Sequence, residues 1–271
     1  MSFPNPFETP DFVHAVDVQD VEPALKLLTF PGGFRCYSDA VVTGVEIMYN
    51  EVCVRKEYLR HAPPFGGMRV VVDAGANIGL FSLLAKRENP SLAVYAFEPV
   101  RETYAILARN VALNRLNDVH LYNAALGSGR PGSKPFVYYR NASVNSTAHP
   151  EYLSRWFAFT REKIGKEFAD WAAVSENRTV EVQTLSSVIR DQGIPSIDFL
   201  KIDTEGDEAE VLDGIDEEHF GIIRNIAIEI HSEDLHRGIR KRLAALGYRL
   251  HSEAGLAEFA GNTNLFATRQ A

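Results

Sequence analysis

The chain has 271 residues, 45% hydrophobic and 24% charged, which allows one large domain with a substantial core and argues against global disorder. Its formal net charge of −8 disfavours a surface built to grip a nucleic-acid backbone. Cys36 and Cys53, its two cysteines, make neither a disulfide scaffold nor a zinc cluster and fit a reducing, cytoplasmic setting.

The opening residues have no basic start and no apolar run, so no signal peptide is expected. No stretch approaches the ~20 apolar residues of a membrane span. Residues 1–66 read as an N-terminal extension packing beside the core. Within it, 34–37 and 45–52 are expected as short strands, with Pro63-Pro64 and Gly66-Gly67 as breakers.

From residue 69 the pattern alternates strand and helix. The apolar run 69–73, with Val70, Val71 and Val72, suits a buried strand. A helix is expected over 78–87, a strand over 92–97, a helix over 100–114 and a strand over 119–126. The stretch 127–178 breaks the rhythm with Pro131, Pro135 and Pro150 and with Tyr152, Trp156, Phe157, Phe159, Phe168 and Trp171. It is expected to be a helical insertion over one end of the sheet. Apolar strands follow at 197–202 and 223–230, with a short helix near 207–212. Leu235, Ile239, Leu243 and Leu246 form a helical stripe ended by Gly247. The basic residues of 236–242 are read as its solvated face. Closing strands are expected at 248–251 and 264–268. Repeated β-α-β units imply a Rossmann-like, doubly wound and mostly parallel α/β sheet.

The segment VVVDAGANIGLFS, 70–82, runs from strand to turn to helix. Gly75, Ala76 and Gly79 are small where a doubly wound sheet brings its backbone against a ligand. The spacing Gly75-x-Asn77-x-Gly79 is not the G-x-G-x-x-G of dinucleotide sites. Asp73 ends the strand, and a carboxylate there is expected to repel a pyrophosphate and to attract the ammonium of S-adenosylmethionine. Glu98 in AFEP, with Pro99 opening the next helix, is placed to take both ribose hydroxyls. Asn123 and Ala124, in LYNAALG, are expected along the adenine.

FLKIDTEGDE and IAIEIHS end two further strands with the pairs Asp203 and Glu205, and Glu229 and His231. Asp203, Glu229 and His231 are the catalytic candidates, His231 as general base toward an acceptor hydroxyl. Together with Glu205 they have the atom types for Mg²⁺ or Mn²⁺, but their spacing matches no metal motif, so no metal ligand is assigned.

These segments, VVDAGANIGLFS, AFEPVRETYAILARNVALN, NAALGSG, FLKIDTEGDEAEVLDG and IAIEIHS, resemble the FkbM family of methyltransferases in order and spacing. The resemblance covers about 69–270 and implies the class I methyltransferase sheet, closed by an antiparallel strand, with S-adenosylmethionine as methyl donor. It further implies O-methylation of a small molecule such as a sugar or specialised metabolite. It places Asp73, Gly75, Asn77, Gly79 and Glu98 at the cofactor and Asp203 near the transferred methyl. The partner expected is therefore a small-molecule acceptor, with no nucleic acid and no membrane; a homo-oligomer is compatible with the sequence. Competing readings are an NAD-dependent oxidoreductase and a non-catalytic module that keeps the fold.

Overall fold

The computed structural model describes residues 5–129, 132–255 and 262–269. Strands β1 (Asp17–Glu22), β2 (Leu25–Phe30) and β3 (Phe34–Ser38) form an antiparallel meander. β3 coincides with the expected strand; β1, exposed along its whole length, carries no alternation that would reveal it. Helix α1 (Val42–Tyr49) and a π-helical turn, Asn50–Val54, stand where a strand was expected at 45–52. Val45 and Tyr49, four residues apart, are both buried, and Tyr49 stacks on Phe30 with ring centroids 3.8 Å apart. That packing selects the helical period over the β-branched composition.

The core follows as β4 (Val70–Ala74), α2 (Leu80–Glu88), β5 (Ala93–Phe97), α3 (Arg101–Leu113) and β6 (Val119–Tyr122). An excursion contains β7 (Ala125–Leu126), β8 (Gly132–Tyr139), α4 (Ser154–Lys163), α5 (Lys166–Ala172) and β9 (Ser175–Gln183). The chain then makes α6 (Leu185–Gln192), β10 (Ile197–Ile202), α7 (Glu208–Asp213), α8 (Glu217–Phe220), β11 (Ile223–Ile230), α9 (Glu233–Ala245), β12 (Arg249–Ala254) and β13 (Thr263–Thr268).

Among the described residues the central sheet has seven strands in the order β12-β13-β11-β10-β4-β5-β6, and β13 alone runs opposite to the other six. Side chains alternate between two buried layers. Val72, Ile202 and Ile228 face one with Leu243, while Val71, Phe199 and Ala227 face the other with Phe81. Chain order reverses between β4 and β10, which makes the carboxyl ends of those strands the natural ligand crevice.

Two further expectations are corrected. The strand expected over 119–126 is broken: the Asn123 amide donates to the carbonyls of Glu98 and Pro99, and Ala125–Leu126 joins a separate sheet with β9. The stretch 127–178 is only partly helical, since β8 and β9 pair along their length with α4 and α5 between them. Pro135 is tolerated because β8 lies at the edge of its sheet, in the order β7-β9-β8. Pro131 lies outside the described residues.

Candidate functional site

Gly75 is left-handed at φ +76°, and a Cβ there would stand 1.8 Å from the backbone oxygen of Asp203. Only glycine allows the turn after β4 to lie against the end of β10. The amides of Gly75 and Ala76 donate to the Phe97 carbonyl, pinning the turn to β5. Gly79, at φ +95°, starts α2 where a Cβ would meet Leu107 at 2.5 Å. Gly75, Ala76 and Asn77 line a cavity of about 330 Å³, but Gly79 does not; its task is helix packing.

Glu98 ends β5 on the wall of this cavity, 6% exposed. Its two oxygens accept from the amides of Asn77 (3.0 Å) and Val100 (2.8 Å). Burial pushes its carboxyl up to about 7 against the pull of those amides. Pro99 lines the cavity beside it. Asn123 and Ala124 do not. Asn123 is spent on backbone carbonyls and Ala124 is packed inside, so Ala125 and Leu126 take the wall position expected of them.

Asp73 also departs from expectation. Its carboxylate is fully buried beneath the turn and does not line the cavity. One oxygen accepts from Ser82 at 2.7 Å, and the other lies 3.3 Å from the Lys201 ammonium. The cause is register: Lys201 pairs with Asp73 across the parallel β10–β4 ladder, so both project to the same face. Lys201 donates to the Gly75 carbonyl at 2.7 Å and lies 3.5 Å from Asp203. Burial would lower its pKa, yet Asp73 and Asp203 outweigh that and keep it charged. Asp73 thus acts through Lys201 on the turn rather than on a ligand.

Adjacency of β10 and β11 brings Asp203, Glu205, Glu229 and His231 together on the cavity wall. The Tyr58 hydroxyl reaches Asp203 at 2.9 Å and Glu229 at 3.2 Å, and its ring lies over Lys201 at 5.3 Å. Glu229 also accepts from Asn262 at 2.7 Å. Burial, reinforced by Asp203, raises the Glu229 carboxyl. Burial likewise raises Glu205 to about 8, opposed by His231. His231 directs Nδ1 to Glu208 at 2.9 Å, and its Nε2 lies 3.3 Å from Glu205. Burial would lower its pKa, but Glu205 and Glu208 win and lift it well above the usual value. Each ring nitrogen of His231 therefore already faces a carboxylate, Glu208 on one side and Glu205 on the other.

Sequence reasoning missed Tyr58, Glu51, Lys201, Glu208 and Asn262. Lys201 had a signal: a lysine inside an otherwise apolar strand must be paired when buried. Tyr58 and Glu51 had none, because their neighbours lie far away in sequence. The N-terminal region contributes Ile47, Met48 and Glu51 to the cavity wall, and the excursion contributes Val144, Tyr152, Leu153 and Trp156. Burial, with Glu229 and Glu57 nearby, pushes the Glu51 carboxyl well up. Among the described residues, no helix is long and apolar enough to cross a membrane.

Comparison with known proteins bears on the family. The family model of the methyltransferase FkbM domain matches residues 73–250. Methyltransferase sdnD of Sordaria araneosa is 43% identical over 188 residues, covering 65% of this chain and 70% of that protein. The 31-O-demethyl-FK506 methyltransferase FkbM of Streptomyces tacrolimicus is 31% identical over 198 residues, covering 70% and 75%. Among solved structures, the precorrin-6y C5,15-methyltransferase of Geobacter metallireducens gives a TM-score of 0.44 at 13% identity over 80% of this chain and 86% of that one. That likeness is too remote to argue from, and the family match, spanning well over half the chain, decides: this protein belongs to the FkbM family of methyltransferases.

Proposed function

We propose that the cavity binds S-adenosylmethionine beside a small, largely apolar molecule bearing a hydroxyl, and that the protein methylates that oxygen. The observation carrying this reading is the carboxyl-rich wall. Six acids line it, Glu51, Glu98, Asp203, Glu205, Asp207 and Glu229, against Lys201 and His231 as the only basic side chains among the described residues. Burial raises most of these carboxyls, and a bound cation would favour their ionised form, so the wall suits a ligand carrying a sulfonium and an ammonium over a pyrophosphate. The electrostatic preference first assigned to Asp73 therefore belongs to the cavity as a whole.

The chain's residues fit this cofactor. Glu98 stands at a strand end next to the glycine turn, where its carboxylate can accept from two ribose hydroxyls. The turn at 75–77 offers backbone without side-chain bulk. When bound, the cofactor supplies an electrophilic methyl group for direct displacement. The protein's part is to align the acceptor and exclude water. Met48, Val144, Leu153 and Trp156 give the rest of the cavity an apolar wall, which favours an apolar acceptor body over a free sugar. The name of the Streptomyces tacrolimicus relative describes action on an oxygen of FK506, and oxygen is the acceptor atom proposed here.

Calorimetric titration with S-adenosylhomocysteine tests the cofactor assignment; folded protein that fails to bind it, or that binds NADH instead, overturns the reading. Transfer of labelled methyl to a panel of hydroxylated polyketides and terpenoids, with mass spectrometry of the product, tests the acceptor class. Methylation confined to amines or carbon would refute O-methylation.

A further inference from the structure

We propose that Asp203, Glu205 and His231 form a binding site for a divalent cation of the Mn²⁺ or Mg²⁺ class, with Glu208 orienting the histidine. The site stands on its own geometry; its use in activating an acceptor hydroxyl rests on the O-methylation reading.

One ligand atom from each of the three residues lies within 4.8 Å of the other two, and all three side chains line the cavity. His231 Nε2 and a Glu205 oxygen are 3.3 Å apart. Two ligands at right angles on an ion with bonds of about 2.1–2.2 Å are separated by about 3 Å. The observed spacing is therefore close to that of neighbouring ligands on one ion. Asp203 accepts from Tyr58 through a single oxygen, Oδ2, at 2.9 Å.

Glu208 supplies an independent observation. It is fully buried and holds His231 Nδ1 through Oε1, which also accepts from the Gly206 amide at 2.7 Å. Its Oε2 is buried with no hydrogen-bond partner. A carboxylate behind an imidazole fixes the ring and strengthens its other nitrogen as a ligand. Glu208 thus keeps one buried oxygen without a hydrogen-bond partner directly behind the imidazole whose Nε2 faces the proposed site. The backbone of Glu205 is held at φ +54°, an uncommon conformation for a glutamate, with its carbonyl accepting from Thr147.

Three other His and acid clusters occur among the described residues, and each is less suited. At His149, Asp207 and Glu210 the ammonium of Lys134 already sits 2.6 Å from Asp207. At His61, His251 and Glu253 both histidines are exposed, and Arg60 holds Glu253 at 3.1 Å. Asp216, Glu218 and His219 lie outside the cavity, with Arg190 paired to Asp216. The cation near the proposed site is Lys201, 3.5 Å from Asp203, and it is engaged with Gly75 and Asp73.

The test is Mn²⁺ titration of the full chain, followed by electron paramagnetic resonance and calorimetry, with S-adenosylhomocysteine binding measured on every sample. The wild type should take one Mn²⁺ per chain, displaced by excess Mg²⁺. Glu208→Gln should weaken Mn²⁺ roughly 10–100-fold, and Asp203→Asn should weaken it as well. His61→Ala should leave binding unchanged. Absence of Mn²⁺ binding at millimolar metal overturns the proposal, as does its loss in His61→Ala or its full retention in Glu208→Gln and Asp203→Asn. If Glu208→Gln does not fold, His231→Gln under the same readout decides. Wild type that takes Mn²⁺ but not S-adenosylhomocysteine would sink the cofactor reading and leave the cation site standing.

Discussion

If Glu98 holds the ribose as proposed, it should couple cofactor binding to pH. Its carboxyl is lifted to about 7 in the free protein by burial, so near neutrality a sizeable fraction is protonated. Two ribose hydroxyls donate best to the ionised form, so binding pulls the pKa down and releases a proton. The sign follows: affinity rises as pH climbs through about 7 and falls below it. S-adenosylhomocysteine should bind severalfold tighter at about pH 8 than at about pH 6. Glu98→Gln should flatten that dependence and weaken binding about tenfold. Wild-type affinity that is level across this range would exclude Glu98 as the ribose ligand. A different residue tests the turn itself. Gly75→Ala places a Cβ on the Asp203 carbonyl, and rigid backbone cannot yield as a side chain could. A destabilisation of about 4 kcal/mol or more is expected, read as a Tm fall of roughly 8 °C or greater; a Tm within about 2 °C of wild type would show that the strand ends can part. At this scale the sequence marked residues whose setting is local, such as Glu98 at its strand end and Gly75 in the turn, both on the cavity wall. It was silent where a partner came from another strand. Nothing near Asp73 announces that Lys201 will stand beside it, because that pairing depends on the β10–β4 register.

Among the elements, strong periodicity made the parallel strands legible, and competing periods hid the rest. In the 42–52 segment, valines and an isoleucine suit a strand by composition, while Val45 and Tyr49 suit a helix by spacing. Contact with Phe30, distant in sequence, selects the helix. Helix α6 was legible and passed over: Thr184 caps it by accepting from the Ser187 amide at 3.0 Å, and Gly193 ends it at φ +61°. The stripe of α9 shows the opposite case. Ile239 and Leu243 are buried as their spacing requires, and Ser232 caps the helix through the Leu235 amide. Leu243 is fully buried against the sheet and does not line the cavity. Leu243→Ala should therefore cost about 2–5 kcal/mol in unfolding while leaving the dissociation constant for S-adenosylhomocysteine within about twofold, under 0.5 kcal/mol. A larger change in affinity would mean that this helix helps to set the crevice.

For the molecule as a whole, the question is whether the N-terminal region can be separated from the sheet. The family match begins at residue 73, which suggests a dispensable extension, but the packing argues otherwise. Leu28, Phe30, Val45 and Tyr49 share one buried cluster with Ile78, Leu80 and Leu83 of the glycine turn and α2. Tyr58 and Phe65 belong to the layer that covers Val71, Phe81 and Phe199. Removing the region would uncover several large apolar side chains, each worth about 1.5–3 kcal/mol of burial. That loss is comparable to the whole net stability of a typical domain. The same cut removes Ile47, Met48 and Glu51 from the cavity wall and Tyr58 from its two carboxylates. A chain beginning at residue 69 should therefore be expressed as aggregated or molten material, without a cooperative thermal transition and without measurable binding of S-adenosylhomocysteine. The intact chain should unfold in one transition that the cofactor product shifts upward by mass action. A soluble fragment that melts cooperatively and binds S-adenosylhomocysteine as the full chain does would show that the first 68 residues are an appendage. In that case acceptor recognition, rather than folding, would be the only use left for the side chains they bring to the cavity.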